Sequence, residues 1–196
     1  MRWMMRMSCL LLLLALSGAR ASSGQTPVRA VVAGMEFFYR ANRTNVLKAA
    51  EMIPAERYAF RPADTVRTVG QLFAHIADTQ YFACAKVRGV PNPNEREHRP
   101  GVVANDGLEA HLHTKAEIVQ ALTASFTYCD ETFSRATDAR LAETDGETPV
   151  SMFATLAVYH TGEHYGNVVT YMRMIGLVPP SSGGATSARP SAPDAR

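Results

Sequence analysis

The residues best able to do chemistry lie in one short run, His160-Thr161-Gly162-Glu163-His164. Positions four apart on a helix differ by about 40° around its axis and about 6 Å along it, so both imidazoles leave the same face and can share one metal ion. Leu156, Val168, Tyr171 and Ile175 recur at the same helical spacing and turn that face inward. Histidines placed in an apolar interior need partners, and a shared cation satisfies two together. Hydrogen bonds to backbone or tyrosine groups are the plainer alternative. The zinc-protease signature needs Glu directly after the first His; here Thr161 stands there and Glu163 precedes the second, which excludes a direct match. His75, in the apolar run Leu72-Phe73-Ala74-His75-Ile76-Ala77-Asp78, is the third candidate ligand. Three protein ligands from two helices leave positions open for water or substrate, as catalytic sites require.

Other chemistry-bearing residues fit less well. Cys84 lies nine residues after His75 and faces away from it. Asp78, one turn from His75, reads either as support behind that ligand or as a solvated acid. Glu163 points about 100° away from His164, so surface exposure is its default. Tyr159 and Tyr165 flank the pair and read as packing residues. His98, His111 and His113 fall in a long connection, as solvated loop residues or a lid. No Gly-rich phosphate loop, nucleophile elbow or Cys–His dyad is present.

The elements that must position these groups are helical. Apolar residues recur at three and four residues, and strand signals are nearly absent. A first helix is expected from about Arg29 to Met52, with Val32, Met35, Phe38, Val46 and Ala49 among its apolar positions, stopped by Pro54. A second opens on the capping box Thr68-Val69-Gly70-Gln71, continues through Leu72, Ile76, Phe82 and Val87, and ends at Gly89. Residues 90–113 are too long a link for a tight helix hairpin and suit a crossover along a bundle. Thr114-Lys115-Ala116-Glu117 is a second capping box, opening a third helix through Ile118, Leu122, Phe126, Cys129 and Phe133. Asp145-Gly146 marks a turn. Thr148-Pro149 then suggests the start of a fourth helix, with Thr at the cap and Pro at its first position, running to about Ile175 before Gly176. Four helices and no sheet imply an all-α four-helix bundle.

Both ends of the chain read as something other than fold. Arg2 and Arg6, an apolar run from Cys9 to Leu16 and the ending Ala19-Arg20-Ala21 form the three parts of a secretory signal peptide, residues 1–21, with export to the periplasm or the exterior. The run is far short of the roughly 20 apolar residues a membrane span needs. A bundle is expected over 22–180, and a Ser-, Ala- and Pro-rich tail without apolar periodicity over 181–196. Cleavage would remove three of the 20 basic residues and none of the 18 acidic ones, turning the net charge from +2 to −1. With no basic cluster left, the sequence carries no nucleic-acid footprint, and small molecules or proteins are the expected partners. Cys84 and Cys129 are an even pair that permits one disulfide in an oxidising compartment; two buried thiols are the other reading.

Three blocks carry a family resemblance: Gly70 to Asp78; His160-Thr161-Gly162-Glu163-His164-Tyr165-Gly166; and Tyr171-Met172-Arg173-Met174-Ile175-Gly176-Leu177-Val178-Pro179-Pro180. Together they resemble the DinB family of damage-inducible bacterial proteins, over about Met35 to Pro180. The resemblance implies an up-down-down-up bundle and one divalent ion (zinc, nickel, iron or manganese) held by His75, His160 and His164. It also implies frequent homodimers and an activity among metal-dependent hydrolases, thiol-dependent S-transferases or isomerases. A signal peptide departs from the pattern, since it removes the chain from the small thiols that the transferases use. The sequence therefore favours an exported hydrolase-type enzyme with an unidentified small substrate. Thiol S-transfer and a non-catalytic metal-binding module are the alternatives.

Overall fold

The computed structural model describes residues 28–94 and 107–183. The expected signal peptide, His98 and the tail beyond Gly183 lie outside the described residues. Four long helices carry the fold: α1 (Ala30–Met52), α2 (Val69–Arg88), α3 (Lys115–Arg135) and α5 (Val150–Met174). Between α3 and α5 lie a one-turn helix, α4 (Asp138–Leu141), and a two-stranded hairpin of β1 (Thr144–Asp145) and β2 (Thr148–Pro149).

Side-chain contacts give the helix directions. Gly70 approaches Ile118 near the starts of α2 and α3, Cys84 joins Cys129 in their last thirds, and Arg88 meets Glu131 nearer the ends, so these two helices run parallel. Along α5 the contacts reverse: Phe82 packs on Phe153, Gln80 donates to the Ala157 carbonyl, and Tyr171 reaches Arg67. Antiparallel pairing of α1 with α3 follows from Arg29 donating to the Phe133 carbonyl and Lys115 donating to that of Ile53. The order is therefore up-down-down-up, as expected for a chain with a long link between its two parallel helices.

Both expected capping boxes form. The side-chain oxygens of Thr68 and Thr114 accept from the backbone N–H groups of Gln71 and Glu117, whose side chains reach back to the cap residues. Gly89 ends α2 at φ +70°, where only glycine is unstrained, and the Arg140 side chain closes over it. Arg140 also donates to the Val87 and Lys86 carbonyls, satisfying the open end of α2. α1 has no cap of its own. Both oxygens of the Asp138 carboxylate accept from its first turn, at Val31 N (3.1 Å) and Val32 N (3.0 Å).

Three local expectations need correction. α5 starts one residue later than Thr148-Pro149 suggested: those residues pair in the hairpin, and Pro149 takes the cap position. Pro149 has no N–H to contribute to the ladder, which suits an edge pairing of two residues. Phe38 and Phe82 point outward, 61% and 40% exposed. The core is filled instead by Tyr39, stacked on Phe133 (centroids 4.6 Å apart), and by Phe73, Phe126, Ile53, Ile76 and Leu122.

Cys84 and Cys129 form a disulfide between the two parallel helices, fully buried, with Cα atoms 5.5 Å apart. That separation sits at the middle of the range a disulfide spans without backbone movement. Among the described residues no helix is long and apolar enough to cross a membrane.

Candidate metal centre

Each candidate ligand is delivered by a long helix that is buried on its flanks. His75 stands between the fully buried Ala74 and Ile76 on α2, and His160 precedes the buried Thr161 on α5, one turn before His164. Antiparallel docking of α2 on α5 brings the three rings together, with centroids 4.3–4.9 Å apart. Their Nε2 atoms converge: His160 Nε2 lies 3.1 Å from that of His75 and 3.0 Å from that of His164.

These distances fit a common ion. Two nitrogens each about 2.1 Å from a metal, at tetrahedral or octahedral angles, are about 3.0–3.4 Å apart. Hydrogen bonding does not account for the cluster equally well. A neutral ring nitrogen carries either one N–H or one lone pair, so His160 Nε2 cannot serve both neighbours as one kind of partner. Three lone pairs aimed at one point match a cation. All three residues are half-buried, and their ligand atoms lie within 4.8 Å of one another.

With Nε2 given to a metal, each ring keeps its proton on Nδ1. His75 Nδ1 faces Glu109 Oε1 at 3.9 Å. His164 Nδ1 is 3.4 Å from the Asn167 amide, whose oxygen would accept the proton after a flip. His160 Nδ1 is buried without a hydrogen-bond partner.

The environment keeps the rings neutral. Burial, then the like charges of His164, His75 and Arg67, lowers the pKa of His160 to about 4. Burial followed by Arg67 and His164 lowers that of His75, with Glu109 opposing. His164 is also lowered, by burial first and Arg67, against Glu163 and Glu109. Neutral imidazoles are the form that binds metal, so all three are ready at pH 7. A pH dependence follows. Below the ordinary value of 6.5 the unfolded chain takes up protons that the folded chain refuses, so stability is full above that pH and falls as pH drops toward about 4. The thermal midpoint of the metal-free protein should decline across that window, and His160→Gln should flatten the decline.

Of the two acids singled out from sequence, Asp78 is engaged elsewhere and Glu163 faces solvent. Asp78 accepts from the Leu108 N–H and from the Asn94 amide, and so ties the turn Leu108–Ala110 onto α2. A Cβ on Gly107 would strike the Asp78 carboxylate at 2.5 Å, which explains the glycine there. Glu163 is exposed, as expected. Neither His111 nor His113 is among the residues lining the open cavity beside His164. Glu109 is, and with Arg67, Gln71, Leu72, His164, Asn167 and Tyr171 it lines a volume of about 650 Å³. Arg67 pairs with Glu109 through Nε (2.7 Å) and Nη2 (3.3 Å). Sequence reading missed Arg67 and Glu109. Both lie in connections, 42 residues apart, and only the fold makes them neighbours.

The sequence model of the DinB superfamily matches residues 39–168. The chain belongs to this superfamily. That match spans the core of the bundle and all three histidines. Two solved structures share the DinB-like fold. One is a DinB-like protein from Bacillus subtilis, 18% identical, with a TM-score of 0.56 over 73% of this chain and 92% of that one. The other is a conserved protein from Enterococcus faecalis, 11% identical, with a TM-score of 0.60 over 74% and 96%. No curated protein matches this DinB chain.

Proposed function

We propose that this chain is an exported, metal-dependent enzyme of hydrolase type, with His75, His160 and His164 as the ligands of one zinc, nickel, iron or manganese ion. The observation carrying this reading is the convergence of three imidazole nitrogens, one of them on His164 in the wall of an open cavity. Three protein ligands leave coordination positions for water and substrate, the pattern of catalytic rather than structural sites. A divalent ion there would acidify a water and polarise a substrate carbonyl. Glu109 is the carboxylate placed to accept a proton in the cavity, and it faces His75 Nδ1 at 3.9 Å. The cavity volume suits a small molecule.

The buried disulfide supports export, because such bonds persist in oxidising compartments. Export would place the chain away from the small cytoplasmic thiols that S-transfer uses, which ranks that alternative second.

The test is a panel of esters, lactones and amides offered to zinc- and manganese-loaded protein, with thiol and electrophile pairs as a second arm. Hydrolysis is expected, abolished by His160→Ala and slowed about 10²–10⁴-fold by Glu109→Gln. Turnover confined to the thiol arm would replace hydrolysis with S-transfer. Inertness of the metal-loaded protein across both arms would leave a metal-binding module.

A further inference from the structure

Arg67 places a permanent positive charge beside a site for a cation. It lines the same cavity wall as His164, and so opposes further positive charge there. Such a neighbour weakens metal binding unless an anion accompanies it. In the resting protein that anion is Glu109, held at two points by Nε and Nη2. Two-point contact of this kind is how a guanidinium reads a planar carboxylate.

Several features make Arg67 a binding group. Its backbone is pinned, with the Tyr171 hydroxyl donating to its carbonyl at 3.3 Å and the next residues locked in the α2 capping box. Its side chain is 41% exposed and lines the cavity, and among the described residues its Nη1 group has no partner. Gln71 stands beside it with its side-chain oxygen spent on Thr68 N, which leaves its NH2 to donate. The Asn167 amide completes the polar wall. Asp64, the other acid there, is turned to Arg61 and is 95% exposed, so water screens it.

We propose that the cavity takes substrates bearing a carboxylate, which displaces Glu109 from Arg67 and leaves it free to act beside His75. The proposal rests on the enzymatic reading above and narrows its substrates to small carboxylic acids. Glu109 is the chain's own stand-in for the ligand group.

Calorimetric titration of the zinc-loaded mature chain tests this, with succinate as probe, neutral succinamide as its isostere and inorganic phosphate as a tetrahedral anion. Succinate should bind at least about tenfold more tightly than succinamide or phosphate. Arg67→Met should remove about that factor. Arg67→Lys, which keeps the charge and loses the fork, should recover only part of it. Glu109→Gln should tighten succinate binding by removing the competitor. Equal succinate binding in the wild type and Arg67→Met would overturn the proposal, since the ion alone would then hold the anion. Preference for phosphate, or weaker succinate binding in Glu109→Gln, would overturn it as well. The same titrations on metal-free protein separate this inference from the enzymatic reading. A chain that holds no ion sinks the metal centre, while dependence of succinate binding on Arg67 is measured on its own.

Discussion

His164→Ala should strip the metal from the purified protein, from near one ion per chain to near none. The mature chain, purified from Ser22 without a metal-affinity tag and quantified by mass spectrometry, is the material to use. Losing one of three ligands costs more than the roughly 10–100-fold that follows from losing a mere outer partner. Glu163→Gln is the control, because Glu163 is exposed and stands outside the three converging rings, and it should retain the ion. A stability change accompanies the loss. Metal at a thousand times its dissociation constant adds about 4 kcal/mol to folding, and a chelator should remove that in the wild type and nothing in the variant. If no preparation holds metal even after several ions are offered, the three rings are core histidines and the enzymatic reading falls with them.

The second large effect is expected at the disulfide. Cys84 and Cys129 are 45 residues apart, and closing a loop of that length removes unfolded-chain entropy worth about 4 kcal/mol. Urea unfolding with and without reductant should therefore differ in midpoint by about 2 M, at a slope of about 2 kcal/mol/M. The double variant Cys84→Ala, Cys129→Ala should show the same shift without any reductant. Because α2 carries both Cys84 and His75, the reduced protein should still hold metal at moderate temperature and lose it together with the fold. A midpoint indifferent to reductant would mean that the bond contributes nothing beyond packing.

The histidine cluster was largely legible before the fold because its pattern is local. An i, i+4 histidine pair on an inward face needs only helical periodicity to be recognised, and both capping boxes announce their helices within four residues. His75 was weaker alone and gained weight only in company. What escaped was tertiary. Arg67 and Glu109 belong to separate connections, and Asp78 fastens the turn that carries Glu109 onto α2. Phe38 and Phe82 follow the helical period yet face outward, because periodicity gives a stripe and not its edges. The hairpin took Thr148 and Pro149 from α5 because two backbone pairings outweigh a favoured first-turn proline.

The borrowed cap on α1 bears on how the chain is made. The groups closing the first turn of α1 belong to residue 138, more than a hundred positions downstream. During synthesis, then, the leading helix has an open, fraying start until nearly three-quarters of the polypeptide has emerged.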